Sequence, residues 1–231
     1  MRREEGKKLL SEKGIKRLTG FLFLFILATS ALSGGLTVEL NADPDQIANT
    51  LRNIAEDPGK YRTGITFDLV SHMAIIAIAS ALYLTFNKYN RQLALFGTLW
   101  RVVEGVIMAF TELNNFVLLK VAQNFLSATG TRAVALETSA ESIILVSTLG
   151  VTIGLAFLVL GHLAYSILFV SSSAVPRPLG WLGVVASIIG IVGTLLGLVI
   201  PDLLFITTGS IILVMLYEIV LGTWLLLEVA N

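Results

Sequence analysis

A long apolar segment, roughly Gln92 to Ala128, carries Arg101 and Glu104 near its middle, with Glu112 and Asn115 beyond them. At about 100° per helical residue these four fall, with Met108 between them, inside an arc of roughly 80° on one helix face. A charged side chain at the centre of a bilayer costs ~2.5 kcal/mol or more, so such groups face a bundle interior or a wet cavity and find partners there. Arg101 and Glu104 are one turn apart and can pair directly. Glu218 sits in a later apolar segment with no basic residue of its own, and Thr207 shares its face. Arg101 is the only Lys or Arg at comparable depth, which predicts a triad with Arg101 between Glu104 and Glu218. Such a cluster can line a site for an anion, a proton or a polar ligand head; equally, it can be a sealed ion-pair lock between helices.

Two further groups carry weaker signals. Asp68 and His72 are an i, i+4 pair in which a carboxylate can orient the imidazole, although a helix-start acid beside a buried histidine is the commoner reading. His162 lies in another segment, about 20 Å from His72 along the membrane normal if both helices cross, too far for a shared iron. No metal site and no cofactor is expected. The chain has no cysteine, which excludes disulfides, thiolate metal centres and cysteine nucleophiles. An enzyme would therefore rest on carboxylates alone, and the reading leans away from one.

The elements that must position these residues are transmembrane helices. Of 231 residues, 55% are hydrophobic and only 14% charged, against about 25% charged in an ordinary soluble domain. Net charge is zero, so no basic field for nucleic acid exists. Apolar runs near 18–38, 65–86, 92–113, 142–170, 180–200 and 204–227 each suffice to cross a hydrocarbon layer of ~30 Å. The fold class is thus all-α, a polytopic bundle of six spans. Residues 1–17 form a basic tail, and the remainder, to residue 231, forms a single membrane domain. The first run is longer than the ~7–15-residue core of a signal peptide and reads as a retained span.

Arg2, Arg3, Lys7, Lys8, Lys13, Lys16, Arg17, Lys88, Arg91 and Arg177 fall on one side if every span crosses. The positive-inside rule makes that side, with both termini, cytoplasmic in a cell membrane. Two outer connections, near 44–57 and 116–127, are amphipathic and read as short helices on the outer surface; Asp43 or Asp45 could cap the first. Gly183, Ser187, Gly190, Gly193 and Gly197 give span five a small-residue face suited to close helix packing, or to an oligomer contact.

Several local patterns recur in order: Tyr61-Arg62-Thr63-Gly64 leading to Phe67-Asp68-Leu69; Ala81-Leu82-Tyr83; Arg101-Val102-Val103-Glu104; Gly161-His162-Leu163 with Tyr165; Pro176-Arg177-Pro178-Leu179-Gly180; and Glu218 before Trp224-Leu225-Leu226. From about Arg17 to Leu227 the chain resembles the prokaryotic membrane proteins grouped as the domain-of-unknown-function 4386 family, with Pro178 an additional proline in its turn. The resemblance implies six helices and assigns no reaction. The expectation is a small transporter, channel or ligand-binding receptor in the lipid bilayer, taking a small polar ligand or a proton at the Arg/Glu cluster. The alternative is a structural or accessory membrane protein.

Overall fold

The computed structural model describes residues 11–37 and 44–228. Among these there are seven α-helices and no strand: α1 (Glu12–Leu36), α2 (Pro44–Glu56), α3 (Pro58–Phe86), α4 (Arg91–Phe125), α5 (Thr131–Ser172), α6 (Arg177–Val199) and α7 (Leu204–Glu228). All but α2 are long and apolar enough to cross a membrane. The tail before Ser11, and the capping candidate Asp43, lie outside the described residues.

Local chemistry sets the helix starts. The Ser11 hydroxyl accepts from the Gly14 amide at 3.1 Å, Asp57 from Lys60 at 2.8 Å, and Asn90 from Leu93 at 3.0 Å, each filling one of the amide valences a helix start leaves open. The α1 cap lies well before Leu18, so residues 12–17 belong to α1 rather than to a separate tail. Ser173, at φ 53°, ends α5 in the left-handed region.

The six long helices pack in a closed ring, α1 on α3, α3 on α4, α4 on α5, α5 on α6, α6 on α7, and α7 back on α1. Neighbours run antiparallel: Gly97 faces Tyr165 and Gly150 faces Thr111 across the α4–α5 contact. The ring therefore has an axis, with α2 at one end and the basic α3–α4 and α5–α6 turns at the other. At the basic end Phe86 meets Phe169 edge-on at 4.8 Å and tilts toward Tyr165 at 6.1 Å, filling the axis with aromatic rings. The Lys88 ammonium, 2.7 Å from Glu12, is raised above the usual lysine range by that hydrogen bond.

At the α2 end, two helices overshoot the bilayer. At 1.5 Å per residue, α4 and α5 are about 52 and 63 Å long, against a hydrocarbon core of about 30 Å. Their excess packs with α2 around a second apolar core of Ile47, Leu51, Ile54, Tyr61, Leu118 and Ile144, among others. The amphipathic helix expected near 44–57 is therefore present and buries its apolar face against α4 and α5. The one expected near 116–127 is not separate, since residues 116–125 are the last turns of α4. No Gly or Pro lies between Asn115 and Phe125 to break the helix, and Leu118, Leu119 and Ala122 continue its buried face.

The small-residue face of α6 points inward. Ser187 and Thr194 are buried, and Cβ atoms at Gly190 and Gly193 would strike Val159 of α5 and Ser210 of α7. That face packs against α5 and α7 within the chain.

Candidate functional site

The polar stripe of α4 faces the ring axis, but it serves two separate places. Near mid-helix, Arg101 and Glu104 are 2% and 0% exposed, with Arg101 Nη1 2.8 Å from Glu104 Oε2. The contact is an ion pair whose angles fall outside the hydrogen-bond range, leaving Arg101 Nη1 and both Glu104 carboxylate oxygens without an aligned partner. Glycines on α5 make room for this stripe. A Cβ at Gly161 would lie 2.8 Å from Arg101 Cγ, and one at Gly154 would lie 2.9 Å from Met108 Cε.

Glu218 does not complete a triad on Arg101. Its Oε1 lies 2.7 Å from His162 Nε2, and both residues are buried. The two pairs form an interior tetrad bordered by Phe23 and Tyr217, whose rings lie 6.0 and 6.1 Å from the His162 ring. The sequence does not pair His162 with Glu218: the apolar run of this helix reads from about 142, whereas α5 starts at Thr131. In fact α5 begins well outside the bilayer core, which draws His162 level with Glu218.

Toward the α2 end, the helices leave a cavity of about 430 Å³, open on the flank where Val151, Ile212 and Met215 are 40%, 50% and 40% exposed. One wall is polar, formed by Tyr61 and Asp68 of α3 and Thr111, Glu112 and Asn115 of α4. The facing wall carries Ser147, Thr148 and Thr152 of α5 and Thr207 and Thr208 of α7, then turns apolar at Val151, Leu155, Ile211, Ile212 and Met215. Neither Arg101, Glu104, His162 nor Glu218 lines it. Leu155 and Met215 mark its inner end, and Met108, the next inward residue on the α4 stripe, is buried against Gly154. One apolar turn thus separates the cavity from the tetrad.

The cavity carboxylates are held from behind. The Ser33 hydroxyl of α1 donates to Asp68 Oδ2 at 2.6 Å. Asn115 Nδ2 donates to Glu112 Oε2 at 2.8 Å, and His72 Nε2 stands 3.4 Å from Glu112 Oε1, near the outer limit of hydrogen bonding. Asp68 and His72 therefore do not bond each other, in contrast to what their i, i+4 spacing suggests: Asp68 turns to α1 and His72 to α4. Three of the lining residues carry a buried polar atom without a partner: Tyr61 Oη, Ser147 Oγ and Asn115 Oδ1. Buried polar atoms ordinarily have one, so each marks a place where water or a ligand atom fits. Tyr61 and Ser147 were not singled out from sequence; the signal available was the run of hydroxyls Ser147, Thr148 and Thr152 inside an apolar helix. Among the described residues no group of three His, Cys, Asp or Glu side chains is placed to hold a metal ion.

An all-helical ring with six apolar helices long enough to cross a bilayer defines a multi-pass membrane protein. The chain belongs to the family described as Domain of unknown function (DUF4386), which matches residues 18–228. No curated protein and no solved structure is significantly similar to it.

Proposed function

We propose that this protein is a small solute-binding membrane protein of the transporter or receptor kind, and that its site is the axial cavity at the α2 end. The observation that carries this is a cavity of metabolite size whose polar wall holds unpartnered buried atoms at Tyr61, Ser147 and Asn115. Glu112 and Asn115 of the α4 stripe serve the ligand, and Asp68 joins them from α3. Arg101, Glu104, His162 and Glu218 hold the ring together beneath it, so the lock assigned to the alternative, structural reading describes this half of the stripe. The basic end faces the cytoplasm of a cell membrane, by the distribution of Lys88, Arg91 and Arg177, and the cavity lies in the half away from it.

The test is thermal stability of the purified protein against a library of small polar solutes. A solute that binds the folded state stabilises it by about 2.7 kcal/mol at a hundred times its Kd. Thr148→Trp, which fills the cavity, is expected to abolish the shift, and Ile188→Trp, on the outer face of α6, to leave it intact. A shift that survives Thr148→Trp would place binding elsewhere.

A further inference from the structure

We infer that the ligand of the axial cavity is an organic monocation: an ammonium head attached to an apolar body. This rests on the cavity being a solute site and adds the chemistry of the solute. Two carboxylates, Asp68 and Glu112, stand on one wall, and among the described lining residues there is no lysine or arginine. His72 stands behind Glu112, 3.4 Å from its Oε1, and one imidazole does not balance two carboxylates. An anion entering this space meets two carboxylates without a counter-charge, and low-dielectric walls strengthen that repulsion.

The carboxylates set the sign of the charge, and the neighbouring hydroxyls, which both donate and accept, can complete the shell of the same head. Tyr61 and Ser147 are 2% and 6% exposed, and their hydroxyl oxygens are unpartnered. Together with Asn115 Oδ1, these offer acceptor lone pairs beside the two acids, which suits a donor-only ammonium with several N–H groups. A bare metal ion fits poorly. It would occupy a small part of about 430 Å³, and among the described residues no group of three His, Cys, Asp or Glu side chains is placed to hold one. The apolar inner wall at Leu155, Ile211, Ile212 and Met215 has no use in binding an ion alone, but it accommodates a hydrocarbon body while the head stays at the acids.

Three probes of one body and different charge decide this: phenethylammonium, 2-phenylethanol and phenylacetate, each titrated calorimetrically into the full-length protein in detergent. The ammonium is expected to bind at least tenfold more tightly than the alcohol, and phenylacetate not to bind. Glu112→Gln and Asp68→Asn, which keep shape and hydrogen-bonding capacity, are each expected to cut the preference for ammonium over alcohol at least tenfold. Equal binding of ammonium and alcohol, or preference for phenylacetate, overturns the assignment of charge while leaving a solute site in place. No binding of any probe, in wild type and Thr148→Trp alike, overturns both readings.

Discussion

Replacing Glu104 with glutamine is expected to lower stability by about 3–5 kcal/mol, because it leaves the Arg101 guanidinium charged, buried and without its counter-ion. Arg101 is 2% exposed and its pair with Glu104 is 2.8 Å long, so no solvent can take over the role of the carboxylate. Glu218, the other acid in the tetrad, is already bonded to His162 at 2.7 Å, and recruiting it would break that bond. Arg101→Met combined with Glu104→Leu removes both charges and nearly keeps the volume. That double variant is expected to recover most of the loss, since a buried ion pair gains little over well-packed apolar groups. Thermal midpoints of the single and double variants in detergent give the comparison. A double variant as unstable as Glu104→Gln would mean that the pair contributes something besides mutual neutralisation.

Gly183→Leu is the second large loss, at about 3 kcal/mol, the upper end of the usual cost of overpacking. A side chain at Gly183 would collide with the Tyr217 hydroxyl of α7 and the Ser166 hydroxyl of α5, which close on α6 from both sides. Tyr217 also borders His162, so displacing it would loosen the tetrad as well. A Cβ at Gly34, on α1, would meet no atom of the described residues within 4 Å, and Gly34→Leu is expected to shift stability by less than ~0.5 kcal/mol. Equal midpoints for the two variants would contradict the packing of α6 between α5 and α7.

The fold was legible because span length and apolar content answer to one physical demand, that backbone polar groups in lipid be satisfied within a helix. The α4 stripe was legible for a related reason: charge is too costly to face lipid, so Arg101 and Glu104 had to point inward. What remained hidden was axial offset. The sequence shows where each apolar run begins but not how far it stands from the bilayer plane, and that offset decides that Glu218 meets His162 rather than Arg101. It also decides that Glu112 and Asn115 line a cavity while Arg101 and Glu104, on the same face, are shut off from it. The continuation of α4 through Phe116 was obscured by the change from apolar to amphipathic pattern. There the helix leaves the bilayer and packs on α2 instead of ending. Tyr61 was hidden because it precedes the apolar run that starts near 65, whereas α3 starts at Pro58 and carries it inward.

The central claim is that the axis is divided into an open, wet chamber and a closed, dry ion cluster. With no cysteine in the chain, single cysteines can be placed without other changes. Thr148→Cys on the cavity wall, Met108→Cys beneath its inner end and Val106→Cys on the outer face of α4 would be treated with a charged maleimide in intact membranes. The account predicts labelling at Thr148→Cys and none at Met108→Cys or Val106→Cys. Labelling at Met108→Cys as fast as at Thr148→Cys would contradict it, because water would then reach the Arg101–Glu104 pair and the tetrad would be part of the chamber.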